Sequence, residues 1–257
     1  LLFFHNKINI CYQTIFSLNK FTFKKEGIKT LEKEKQNRTP IFTVLKDVYA
    51  KREVLPFHVP GHKNGKGAEK DFYEFMGPNP FKIDVTIFDL VDGLHNPKSH
   101  IKEAQELAAE AFGAERTLFC VHGTSGAIQA MIIASVKAGE KILVPRNTHK
   151  SINAGIVLSG CIPIYMQPDI DKDLGVAHGV SPETVARTLE EHPDAAAVLV
   201  INPTYYGVAS DLEKIAEIVH EYDIPLLVDE AHGPHLKFSE QLPKCAMEAG
   251  ADICCQS

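Results

Sequence analysis

Residues 195–232 read "AAAVLVINPTYYGVASDLEKIAEIVHEYDIPLLVDEAH". The opening run, up to Asn202, is apolar, short and β-branched towards its end, which is the pattern of a strand buried on both faces. "SDLEKIAEIVHEY" follows with apolar residues at helical spacing and with Ser210 or Asp211 as its cap. "PLLVDE" is a second buried strand. Two apolar strands joined by one amphipathic helix form a βαβ unit, and such a unit implies a parallel sheet with helices on its faces. The second strand runs into Asp229-Glu230-Ala231-His232. A carboxylate at the end of a buried strand is costly unless something positive meets it.

The same alternation extends outward. "TLFCV" (117–121), "KILVP" (141–145), "IPIYM" (162–166) and "ADICC" (251–255) are further strands. Between them lie helices: one opening at Ser125, one over "SINAGIVLSG", and one starting at Ser181 with Pro182 and Glu183 in its first turn. Upstream, "HIKEAQELAAEAFGAE" is a helix stopped by Gly113, and "RTPIFTVLKDVYAKRE" opens at Thr39-Pro40. "VLPFHVPGHKNGKG" is loop, marked by its prolines and glycines. The fold class is therefore α/β, a mostly parallel sheet with helices on both faces. The expected divisions are residues 1–30 outside the fold, 31–98 as an N-terminal helix and loop segment, and 99–257 as the major domain.

The 257 residues carry a net charge of −6 and are 44% hydrophobic. That balance excludes a non-specific nucleic-acid binder. Six cysteines form no CxxC pair, so they read as reduced thiols of a cytoplasmic protein. No stretch is apolar and long enough to span a bilayer, and no partner membrane is expected. The chain begins at Leu1 and stops just after "ADICC", which suggests a fragment. Lys25-Glu26-Gly27 can be encoded by a ribosome-binding sequence three codons before Leu31, so residues 1–30 are expected to be translated leader and residue 31 the true start.

In open α/β sheets ligands bind beyond the carboxyl ends of the strands. Those ends carry Val121-His122-Gly123-Thr124-Ser125, Pro145-Arg146-Asn147-Thr148-His149, Asn202-Pro203-Thr204-Tyr205 and Asp229-Glu230-Ala231-His232. "HGTSGA" joins a strand to a helix and offers hydroxyls and free amides to a phosphate, although Thr124 or Ser125 could be a simple N-cap. It is no P-loop, because no Gly-Lys-Ser/Thr occurs, and without one "DEAH" does not indicate a helicase. His232 and His235 are separated by Gly233-Pro234, so no helical metal pair forms and no metal is expected; His235 reads as an exposed loop residue. His149 is an ordinary loop or capping histidine unless a flat ring lies against it. Asp229 is an N-cap or arginine partner, or else it holds a protonated ring nitrogen. A phosphate cradle, a ring platform and a carboxylate on successive strand ends together describe pyridoxal 5'-phosphate.

With those motifs in place, the chain resembles the bacterial ornithine/lysine/arginine decarboxylases of the aspartate-aminotransferase-like PLP fold, most closely the arginine decarboxylases of Gram-positive spore-forming bacteria. The stretches that carry the likeness include "FHVPGHKNG" (57–65), "LVDGLHNPKSHIKEAQELAAEAFGAE" (90–115), "VHGTSGAI" (121–128), "PRNTHKSI" (145–152), "VINPTYYGVASDL" (200–212) and "VDEAHGPH" (228–235). Ser99 stands where relatives often carry glycine. The resemblance implies that Thr124, Ser125 and Ser257 bind the cofactor phosphate, that His149 stacks on the ring, that Asp229 pairs with the ring nitrogen, that Ala231 packs under the ring, and that His232, with Thr204 nearby, lies beside it. It also implies a covalently binding lysine three residues past Ser257, so residues 1–257 alone are expected to be inactive. Lys150 follows a histidine as that lysine does, but it precedes Asp229 along the chain and is rejected for the role. The implied reaction is decarboxylation of a small-molecule amino acid, arginine to agmatine in polyamine biosynthesis, with lysine or ornithine as alternative substrates and a homo-oligomeric enzyme. An aminotransferase is disfavoured by the first two stretches. Asp89 and Asp92 are acidic candidates for reading the substrate's distal cation, against the plainer reading of solvated loop acids.

Overall fold

The computed structural model describes residues 8–11, 34–53, 55–87 and 91–257, the first four by their backbone. The chain divides into one compact unit of residues 1–23 with 108–257 and a second of residues 24–107.

The larger unit is built on seven parallel strands: β1 (Ile8–Cys11), β2 (Arg116–Phe119), β3 (Lys141–Pro145), β4 (Ile162–Met166), β7 (Ala195–Ile201), β8 (Leu226–Glu230) and β9 (Ile253–Gln256). A two-residue antiparallel hairpin supplies β5 (Ile170–Asp171) and β6 (Val176–Ala177). The order across the sheet is β2-β1-β9-β8-β7-β3-β4. The chain therefore runs outward from β3 to the edge strand β4, then returns to β7 on the other side of β3. That reversal opens a crevice at the carboxyl ends of the strands.

Both faces of the sheet are buried, as the uninterrupted apolar strands require. Ile142, Val144, Leu199, Leu227 and Cys255 point to one face. The helices over Gly123–Ser135 and Lys150–Ser159 cover it with Ile128, Met131, Ile132, Ile152 and Ile156. Leu143, Val198, Val200, Leu226, Val228 and Cys254 point the other way. There the helices over Pro182–Glu191 and Leu212–His220 meet them with Val185, Leu189, Ile215 and Val219. Each such aliphatic side chain contributes about 1.5–3 kcal/mol by leaving water. The first two helices approach closely at Gly155, where a Cβ would stand 2.7 Å from Ile132 Cδ1 and 3.3 Å from Gln129 Cα.

Local signals account for the boundaries. Ser181 Oγ accepts from Thr184 N, and Asp211, not Ser210, caps the next helix by accepting from Lys214 N. The helix expected to open at Ser125 opens at Gly123 instead, with His122 as its N-cap residue. One strand lies in the segment expected outside the fold: Ile8–Cys11, with β-branched Ile8 and Ile10, pairs with β2 on one side and β9 on the other. β2 and β9 are not neighbours, so the sheet has a place one strand wide there. The other residues up to 33, including Lys25-Glu26-Gly27 and Leu31, lie outside the described residues.

In the smaller unit, Pro40–Thr43 forms a helical turn that continues as a π-helix over Val44–Tyr49. Lys70–Met76 and Asn79–Ile83 are short helices, and Tyr73 stacks on Phe81 with ring centroids 5.2 Å apart. Arg38 pairs with Glu103. Asp92 is 8% exposed, and its carboxylate accepts from the amides of Gly93, Lys98, Ser99 and Ile101. This corrects the reading of Asp92 as a solvated loop acid: its oxygens are consumed in holding the turn that leads into the helix His100–Phe112. Burial opposes ionisation, but the amides of Lys98, Ser99, Gly93 and Ile101 outweigh it and hold the carboxyl at about 2. Asp89 lies outside the described residues.

Candidate active site

A cavity of about 820 Å³ opens at the carboxyl ends of the strands in the larger unit. That is room for a ligand of cofactor size. Thr124, Ser125, His149, Thr204, Asp229, Ala231, His232 and Ser257 all line it. All eight residues expected around the cofactor thus meet in one place, although they come from five separate strand ends.

Asp229 is the last-but-one residue of β8 and 4% exposed. It lies on the same face as Leu227, two residues before it, so the strand's alternation directs it towards the helices over Gly123–Ser135 and Lys150–Ser159. Its Oδ1 accepts from Ala231 N at 3.2 Å. Among the described residues no lysine or arginine pairs with it, and it caps no helix, so neither plain reading holds. Burial raises its pKa, while the Ala231 amide and the charges that His149 and His232 carry when protonated pull it down. The balance is a carboxyl short of positive charge, facing a cavity.

His149 is both a cap and a cavity residue. Its Nδ1 accepts from Ser151 N at 3.3 Å and lies 2.8 Å from Ser151 Oγ. That leaves the proton of a neutral ring on Nε2 and fixes the ring plane at the helix start. Thr124 and Ser125 stand inside the first turn of their helix, not at its cap. His122 gives that helix no side-chain cap, so its first amides and these two hydroxyls face the same anion-attracting helix end.

Thr204 is 3% exposed. Its amide donates to Val208 O at 2.9 Å, and its Oγ1 accepts from Val208 N at 3.3 Å. Its role is to fasten the 204–208 loop. That loop presents Tyr205 and Tyr206 to the cavity, and Tyr205 meets the His232 ring edge-on at 5.8 Å. The turn after β8 is tight: a Cβ on Gly233 would stand 2.5 Å from Glu230 Cγ and 2.8 Å from Pro203 Cδ. His235 is exposed and absent from the lining. So is Lys150, and among the described residues no lysine lines the cavity.

Sequence reasoning missed Ser151, Tyr206 and the hairpin residues Gly175 and Ala177, which also line the cavity. Ser151 shares the short "THKS" stretch with His149, and Tyr206 follows Tyr205 directly. For the hairpin the available signal was the Asp173-Leu174-Gly175 turn, with Asp171 Oδ1 accepting from the amides of Asp173 and Leu174.

Comparison with known proteins bears on the family and the fold. Residues 39–257 match the family model described as the Orn/Lys/Arg decarboxylase major domain. The chain is 53% identical over 222 residues to an arginine decarboxylase of Bacillus subtilis, a match spanning 86% of this chain and 45% of that protein. It is 31% identical over 218 residues to the inducible lysine decarboxylase of Escherichia coli, spanning 79% of this chain and 30% of that one. Lysine decarboxylase A from Pseudomonas aeruginosa superposes with a TM-score of 0.73 at 26% identity, covering 88% of this chain and 33% of its own. The chain thus spans less than half the length of the curated relatives it matches.

Proposed function

Since this chain belongs to the Orn/Lys/Arg decarboxylase family, we propose that its cavity holds pyridoxal 5'-phosphate and serves the decarboxylation of arginine to agmatine. The observation that carries the cofactor reading is Asp229: a buried carboxylate with a single backbone hydrogen bond and no cation partner among the described residues. A protonated pyridine nitrogen supplies the missing charge. The choice of arginine rests on 53% identity to an arginine decarboxylase, against 31% to a lysine decarboxylase.

When bound, the cofactor supplies an electron sink for the pair released as the Cα–carboxylate bond breaks. The chain's own residues do the rest. Asp229 keeps the ring nitrogen protonated, and a cation beside it brings its own pKa back down. Thr124, Ser125 and Ser257 take the phosphate with the first amides of the helix Gly123–Ser135. The ring of His149, fixed through Nδ1, covers one side of the heterocycle, while Ala231 leaves space beneath it. His232 and Tyr205 brace one another at the rim. Among the described residues no lysine lines the cavity, so the residues named here would hold the cofactor without covalent attachment.

The test is amine formation by the product of the complete reading frame, given PLP with arginine, lysine or ornithine. Agmatine in clear excess supports the reading. Cadaverine or putrescine in excess reassigns the substrate, and no PLP-dependent amine from any of the three refutes it.

A further inference from the structure

Glu230 has no part in the cofactor contacts above, yet it is the least exposed carboxylate beside the site, at 0%. It follows Asp229 on β8 and points to the opposite face, with Val228 and Cys254. Its Oε1 accepts from Ala246 N at 2.7 Å, and its Oε2 accepts from Gln256 Nε2 at 2.6 Å. Glu230 and Gln256 are register partners across the β8–β9 pair. Gln256 is itself 0% exposed, and the next residue, Ser257, lines the cavity. The side chain thus ties the end of β9 to the end of β8 and to the start of the turn Ala246–Ala249.

We propose that Glu230 is a positioning residue, which fixes Gln256 from the face of the sheet opposite the cavity and so sets the Ser257 hydroxyl at the phosphate end of the site. The inference rests on the cofactor reading above. It follows from reach: Ser257 lies one residue past the last paired position of β9, so fixing Gln256 fixes the backbone from which Ser257 projects. A buried carboxylate is an expensive way to join two amides. An apolar pair would pack there, but it would leave Ala246 N unsatisfied and the end of β9 untied.

The groups facing Glu230 are consistent with this. Cys254 beside it on β9 gives it a weak hydrogen bond, and Glu248 on the short helix adds a like charge. Glu248 is engaged by Lys237 and by Cys245 Sγ at 3.5 Å. Burial pushes the Glu230 carboxyl up to about 8, against the pull of Gln256, Ala246 and Cys254. It therefore carries a proton over much of the neutral range. A protonated Glu230 still accepts from Ala246 and joins Gln256 once that amide turns its oxygen inward. Glutamine at this position can make the same two contacts.

The test is equilibrium binding of PLP and of pyridoxal, which lacks the phosphate, to wild type, Glu230→Ala, Glu230→Gln, Gln256→Ala and Ser257→Ala. Loss of one hydrogen bond to a charged group, about 1.5–3 kcal/mol, corresponds to a roughly 10- to 150-fold loss of affinity. Glu230→Ala is expected to weaken PLP by about that factor and to leave pyridoxal unchanged, with Glu230→Gln restoring wild-type binding. Adding Ser257→Ala to Glu230→Ala is expected to cost nothing more. Gln256→Ala cuts the same link and serves if Glu230→Ala does not fold. Equal weakening of PLP and pyridoxal, additive losses in the double variant, or unchanged PLP affinity in Glu230→Ala and Gln256→Ala would each overturn the inference. Failure of the wild type to bind PLP removes the cofactor reading itself, and this inference with it.

Discussion

Replacing Asp229 with asparagine should stabilise the ligand-free protein and weaken its grip on the cofactor. The side chain is 4% exposed, with one backbone amide on Oδ1 and, among the described residues, no lysine or arginine paired with it. Burial raises its folded pKa above the ordinary 3.8. A carboxyl of this kind binds its proton more tightly folded than unfolded. Its contribution is therefore greatest below pH 3.8 and declines as pH rises towards the folded pKa, by about 1.4 kcal/mol per pH unit. Asparagine does not ionise, so the variant should escape that loss and melt higher than wild type from pH 6 to 8 without ligand. With PLP the order reverses. A hydrogen bond to a charged group contributes about 1.5–3 kcal/mol, so the dissociation constant should rise by roughly 10- to 150-fold. Decarboxylation by the complete protein should collapse, because an amide cannot hold the ring nitrogen in its protonated form. Thermal melts across pH, paired with equilibrium dialysis of PLP, measure both halves. A variant that binds PLP as wild type does, or that melts lower than wild type without ligand throughout that range, would refute the reasoning.

His149→Ala should lose both the helix cap and the ring, whereas His149→Asn keeps a capping oxygen; stability should therefore fall by about 0.5–2 kcal/mol only in the alanine variant, while both lose up to about tenfold in PLP affinity. If asparagine binds PLP normally, the ring has no stacking role. Asp92→Ala should destabilise the protein by about 2 kcal/mol at neutral pH through the loss of four amide contacts. Because the folded Asp92 carboxyl sits at about 2, its advantage is full above 3.8 and fades as pH falls towards 2; urea unfolding in which the gap between wild type and variant stays constant down to pH 3 or widens there would contradict this. Borohydride reduction of residues 1–257 with PLP should leave no pyridoxyl group on Lys150, and peptide mass mapping that finds one would overturn the choice of ring-side residues.

Much of this site was legible because strand ends are legible. "KILVP" and "IPIYM" coincide with β3 and β4 residue for residue, and the residues after β3, Asn147 to His149, fall where a doubly covered parallel sheet must place its ligand. Ser181 and Asp211 cap their helices as their residue types suggest. Other features depend on tertiary position. Asp92 draws its partners from one to nine residues downstream, beyond any local pattern. The β5–β6 hairpin has two residues per strand, too few for a period to show. Gly123 begins its helix two residues before the expected start because His122, a poor capping residue by type, occupies the N-cap position. Glu230 looked like a companion of Asp229 in the sequence. Only the register with Gln256 shows that the two carboxylates serve opposite faces of the sheet.

The most direct measurement is a crystal structure of the protein with PLP bound. The account predicts the pyridine nitrogen within hydrogen-bond distance of the Asp229 carboxylate, the ring against His149, and the phosphate on Thr124, Ser125 and Ser257. A cofactor seated elsewhere, or one whose ring nitrogen faces away from Asp229, would contradict it.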